Sequence, residues 1–197
     1  MSDRTMSHYR RAQDAFDAVV AAVPATAWDA ASPCTGWTVR DVAGHVVWGQ
    51  QQMQHWATGE PFTDMRGAPG AAHPGEMAGA DPVTAWRTAR DACVERLTPE
   101  GLARTISLPG LGVQPLGAIV ELLTTDHLAH TWDVAHAAGV DTTLDADLVT
   151  ASFSWARDHV ARVPGLFGPE LAPPGDADEQ TRWLAFLGRA AWLPVAA

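Results

Sequence analysis

Lysine is absent from this chain, and all 13 basic residues are arginine. A catalytic lysine or a Schiff base is therefore excluded. Cysteine is scarce. Cys34 and Cys93 stand far apart with no CxxC spacing, so neither a zinc-finger nor a thioredoxin-like reading applies. They read as two reduced thiols of a cytoplasmic protein. No apolar run approaches the roughly 18 residues of a membrane span, and the opening stretch MSDRTMSHYRRAQDAF has no apolar signal core. Positive charge is outnumbered: the net charge is −10 at pH 7 and the pI about 5.1. That balance argues against nucleic acid or an anionic membrane as the main partner. No phosphate-binding glycine loop, Ser-His-Asp order or G-x-S-x-G appears.

What is present is hydrophobic and helical. Of 197 residues, 47% are hydrophobic, enough for a core, and the length suits a single domain over 1–197. Apolar residues at helical spacing predict helices over Thr5–Val23, Val39–Thr58, Pro82–Leu97, Pro115–Gly139, Asp145–Val163 and Asp178–Ala190. Thr38 and Asp41 make a capping box before the second helix. Asp81-Pro82 opens the third, Pro164-Gly165 stops the fifth, and Gly139 suits the end of the fourth. Residues 59–80 carry Gly and Pro without a period and read as a long loop. GLARTISLPGLGV reads as an extended excursion or a short hairpin. The fold class is therefore all-α: a four-helix bundle with one or two additional C-terminal helices.

Within the fourth helix Asp126 and His130 stand four residues apart, one turn along one face. Leu116, Ile119, Leu123, Val134 and Ala137 fall on or beside that face. A carboxylate and an imidazole on an apolar face suit a divalent metal, most readily zinc. His45, on the apolar stripe of the second helix, offers a third ligand and leaves one position open. Two other readings stand beside this one. Asp126 and His130 can hydrogen-bond each other and nearby backbone, with His45 a core histidine. His127 and His130, three apart, are an equally good helical pair, although the seam Ile119, Leu123, Asp126, His130 favours Asp126 and sets His127 on its flank. Asp133 is a candidate to orient a ligand imidazole from behind, or else to meet an arginine or cap a neighbouring helix. Cys34 reads as a small hydrophobe before the second helix, and Arg40, Arg87 and Arg90 as solvated surface.

SPCTGWTVRDVAGHVVWG and TTDHLAHTWDVAHAAG resemble two signatures of the DinB-like superfamily, in the branch that includes mycothiol-dependent maleylpyruvate isomerases. FGPELAPPGDADEQTRWLAFLGRAAW is similar to the closing segment of the same actinobacterial group. The likeness runs from about Ala12 to Trp192. It implies a four-helix bundle with a divalent metal, usually zinc, and places the metal ligands on His45, Asp126 and His130. The isomerase branch commonly has Glu where this chain has Asp126. It also carries a distinct C-terminal domain; about sixty residues follow Gly139 here, and the comparison implies that this domain is reduced or replaced.

The resemblance implies a metal-dependent enzyme using a mycothiol-type low-molecular-weight thiol, as cosubstrate, for S-transfer or isomerisation of a small electrophile. A hydrolase activating water at the same three residues is the first alternative. A helical bundle that binds a ligand without turnover is the second. A homodimer is compatible with the family.

Overall fold

Four long helices close on one another in a ring. In the computed structural model, which describes residues 3–108, 112–160, 162 and 167–193, they are α1 (Asp3–Ala22), α2 (Val39–Thr58), α3 (Pro82–Arg96) and α5 (Val120–Ala138). Helix α1 packs on α5, α5 on α2, α2 on α3 and α3 on α1. A short α4 (Pro99–Ala103) follows α3, and α6 (Ala146–His159) and α7 (Glu179–Phe186) extend the bundle beyond α5. The fold is thus all-α in character, with one small hairpin among the described residues.

Local chemistry sets the helix ends. The Thr38 hydroxyl accepts from the Asp41 N–H at 3.1 Å while Asp41 accepts from the Thr38 N–H at 2.9 Å, a reciprocal cap that contributes about 1 kcal/mol. Asp81 caps α3 ahead of Pro82, and Asp178 caps α7. Helix α1 stops before Pro24, whose ring disfavours helical backbone in the residue ahead of it.

Some expected boundaries move. The fourth long helix starts at Val120 and not at Pro115, because Pro115 pairs with Thr105 and the Leu116 N–H donates to the Arg104 carbonyl. That backbone is committed to a hairpin of β1 (Thr105–Leu108) and β2 (Gly112–Pro115). Helix α4 has no expected counterpart; Thr98 caps it. Helix α6 ends at His159, since Val160 is already extended. The expected stop at Pro164-Gly165 lies outside the described residues.

The core has three parts. Phe16, Val20, Val42, Val46 and Trp86 fill one end of the ring, and Tyr9, Met53, Cys93, Leu116 and Ile119 the other. Leu128, Trp132, Leu148, Trp183 and Leu184 bind α5 to α6 and α7. Truncating a fully buried leucine such as Leu128 to alanine costs about 2–5 kcal/mol. Among the described residues no helix is long and apolar enough to cross a membrane.

Candidate metal centre

Helices α2 and α5 face each other, and that contact brings His45, Asp126 and His130 together. One ligand atom from each lies within 4.8 Å of the others. His130 Nε2 is 3.4 Å from Asp126 Oδ1. Two ligands on a tetrahedral ion at about 2.1 Å stand about 3.4 Å apart, so the spacing suits such an ion. The His45 and His130 rings meet edge to face with centroids 5.1 Å apart. Both histidines are buried, while a quarter of the Asp126 side chain is exposed.

Each imidazole is held from behind. His45 Nδ1 donates to the Gly67 carbonyl at 2.7 Å, which leaves Nε2 with a free lone pair. His130 Nδ1 lies 2.9 Å from Asp133 Oδ2, with Nε2 turned to Asp126. A ligand imidazole that gives its other N–H to a carbonyl or carboxylate has its orientation and tautomer set.

The 59–80 segment supplies one of these supports. It carries a short 3-10 turn at Pro74–Met77 and otherwise crosses α2 without regular structure. The Trp48 and Trp37 indoles donate to the carbonyls of Asp64 (2.6 Å) and Ala71 (2.9 Å) on either side of Gly67. The approach is close enough to demand glycine at two places. A Cβ on Gly44 would lie 1.9 Å from the Pro74 carbonyl oxygen, and one on Gly67 would lie 2.1 Å from the Trp48 Cβ. Trp37 and Trp48 both lie against His45, with ring centroids 5.1 and 6.1 Å from it.

Burial presses His45 toward its neutral form and lowers its pKa. Burial acts the same way on His130, but Asp126 outweighs it and, with Asp133, raises the imidazole well above its ordinary value. Burial would raise Asp126, yet His130 holds it below the usual carboxylate range. A divalent cation between the two imidazoles would meet the charge of the Asp126 carboxylate in this largely buried site.

His127 stands apart from this cluster. On the flank of the seam it lies deep in the bundle, 1% exposed, against the rings of Tyr9, Phe16 and Trp86. Nδ1 donates to the Leu123 carbonyl and Nε2 accepts from Gln50 Nε2, both at 2.6 Å. Gln50 in turn holds Gln13 and Tyr9. Both His127 nitrogens are used, and its pKa falls to about 4 through burial.

Asp133 is fully buried and meets both of the partners considered for it. Besides His130 it accepts from Arg189, which follows α7. Cys34 packs against the core of Phe16, Val42 and Trp86, as a small hydrophobe would, but it also makes a polar contact. It is partly exposed, and its thiol donates to Asp133 Oδ2 at 3.2 Å. Burial and the neighbouring Asp133 push its pKa up. Cys34, His130 and Asp133 form a second cluster of metal-ligand type. The Arg189 guanidinium sits on that carboxylate at 2.9 Å, so the second cluster is better served by hydrogen bonds than by a further cation. Arg40 donates to the Gly79 carbonyl, and Arg87 and Arg90 pair with Asp17, all at the surface. Both cysteines are free.

The fold is a DinB-like helical bundle that brings two imidazoles and a carboxylate together. Residues 9–135 match the family described as the mycothiol maleylpyruvate isomerase N-terminal domain, and the chain belongs to that family. It is similar to the uncharacterized protein Rv0738 of Mycobacterium tuberculosis (strain ATCC 25618 / H37Rv), 37% identical over 193 residues, which cover 95% of this chain and 98% of that protein. The uncharacterized protein Rv0036c of the same strain is 31% identical over 144 residues, covering 66% of this chain and 55% of that one. No solved structure matches the chain.

Proposed function

We propose that this protein is a metal-dependent enzyme in which His45, Asp126 and His130 hold one divalent ion, zinc by the chemistry of the donors. Its reaction is the transfer of a low-molecular-weight thiol of the mycothiol type to a small electrophile, or isomerisation by addition and elimination of that thiol. The observation that carries the reading is the convergence of three non-thiol donors, two with their second nitrogen engaged behind them. The family's description supplies the thiol.

Bound zinc supplies a Lewis acid that keeps a thiol as thiolate at neutral pH, where a free thiol of pKa about 8.5 is mostly protonated. The residues do the rest. His45 and His130 are neutral ligands and Asp126 brings one negative charge, so the loaded site keeps a single positive charge that favours an anionic fourth ligand. Asp126 is the ligand nearest solvent, which marks the side from which a thiol and an electrophile enter. Trp37 and Trp48 set apolar rings beside His45.

Metal content of the purified protein, followed by turnover assays, tests the reading. Maleyl-type acids, epoxides and aryl halides are offered to zinc-loaded protein with and without mycothiol. Turnover that needs both zinc and thiol is the expected result. Turnover that needs zinc alone would replace this reading with a hydrolase. Zinc bound without turnover of any of these compounds would favour a binding role.

A further inference from the structure

Arg189 lies after residues 9–135, which match the family's N-terminal domain, yet its guanidinium reaches the fully buried Asp133 of α5. It arrives there because α7 ends in a left-handed glycine. Gly188 has φ 85°, the Gly188 N–H donates to the Ala185 carbonyl and the Arg189 N–H to the Leu184 carbonyl. This closing turn reverses the chain and aims the next side chain inward. Leu184 and Leu187, both buried against α5 and α6, anchor the turn.

The guanidinium grips Asp133 with two donors, Nε on Oδ1 at 3.3 Å and NH2 on Oδ2 at 2.9 Å. NH1 donates to the Leu187 carbonyl at 2.9 Å, which fixes the fork to its own turn. Oδ2 of Asp133 also takes the His130 Nδ1 at 2.9 Å and the Cys34 thiol at 3.2 Å. The Asp133 side chain has no exposure and that of Arg189 only 10%. A planar fork on a carboxylate fixes the carboxylate's plane as well as its place, which a point charge does not.

We propose that Arg189 is a positioning residue of the metal centre: it holds the Asp133 carboxylate against Nδ1 of His130, so that Nε2 points at the space shared with Asp126 and His45. This rests on the metal reading above and deepens it. The centre is then incomplete within residues 9–135, and α7 with the turn after it is part of the site. Arg189 touches no ligand atom itself. It reaches His130 chiefly through Asp133; the weaker contact is to the Cys34 sulfur, 4.0 Å from NH2 and itself 3.9 Å from His130 Nδ1.

The test uses four full-length proteins: wild type, Arg189→Met, Asp133→Asn and the double variant. Zinc affinity is read by competition with a chelator. In zinc-loaded protein labelled with 15N-histidine, the His130 Nδ1–H resonance reports the hydrogen bond directly. Wild type is expected to bind one zinc and to show a slowly exchanging His130 Nδ1–H signal beside those of His45 and His127, the three assigned by single substitution. Each single variant is expected to lose affinity by roughly ten- to a hundredfold, with that signal broadened or lost. The double variant is expected to lose no more than the worse single, because the two residues act in series. Should Arg189→Met not fold, Arg189→Lys keeps the charge without the fork and is expected to weaken zinc binding in the same way. A folded variant at position 189 with zinc affinity within twofold of wild type and the Nδ1–H signal intact overturns the proposal and leaves the metal site standing. Additive losses in the double variant also overturn it. Wild-type protein that takes up no zinc overturns both readings.

Discussion

His130 Nε2 and Asp126 Oδ1 lie 3.4 Å apart, one turn along the same helix, and His45 completes the set from the facing helix. His127 is one residue from Asp126 and takes no part, because Gln50 and the Leu123 carbonyl use both of its nitrogens.

Alanine at positions 45, 126 and 130 is expected to remove stoichiometric zinc. His127→Ala is expected to keep the metal and to destabilise the fold by about 2–4 kcal/mol, since it leaves a cavity and an unpaired Gln50 in the core. Elemental analysis and urea denaturation of the four variants separate the two behaviours. Loss of zinc in His127→Ala with zinc retained in Asp126→Ala would refute the assignment.

Gly67→Ala is expected to weaken zinc binding although residue 67 offers no ligand side chain. The added Cβ would meet Trp48 and push the segment off α2, taking the carbonyl away from His45 Nδ1. The strain is worth about 1–3 kcal/mol. Chelator competition against wild type measures it, and an unchanged affinity would show that the carbonyl contact is dispensable.

The two thiols are expected to behave differently. Cys93 is fully buried, and burial pushes its pKa up to about 12, so it resists alkylation in the native protein. Cys34 is partly exposed but donates its proton to Asp133, so it reacts slowly. Intact mass after alkylation is expected to show two labels under denaturing, non-reducing conditions and at most one, on Cys34, under native conditions. Fewer than two labels in denaturant would indicate a bridge.

Asp17 ties α1 to α3 through Arg87 (2.8 Å) and Arg90 (3.3 Å). The Arg87 hydrogen bond holds this carboxyl below its ordinary range. A lowered folded pKa stabilises the protein above the unfolded value, near pH 4, and that contribution is lost as pH falls through the folded value. Asp17→Asn is therefore expected to cost about 0.5–1 kcal/mol at pH 7, less at high salt because Arg87 is half exposed. The difference from wild type should fade in acid. Urea midpoints of both proteins across pH 2–7 check the sign, and a gap that widens in acid would contradict it.

Much of the bundle is local and so could be read from the chain. The Thr38–Asp41 box, Asp81-Pro82 and the glycines after α2 and α5 act within a few residues of themselves, and the i,i+4 step from Asp126 to His130 is a property of any helix. His45 could be named because it rides an apolar stripe that must face a neighbour. What folding alone decided is which atoms meet across the chain. That the Gly67 carbonyl would sit behind His45 depends on how a segment without periodicity crosses α2. That His127 would be spent on Gln50 depends on the rotation of α5 against α1 and α2, which the mixed apolar pattern around that helix leaves ambiguous. Arg189 stood inside the C-terminal stretch that resembles the family, yet nothing near it in sequence marks it as buried. Its partner is 56 positions away, and hydrogen bonds of that span arise only when tertiary packing closes the distance.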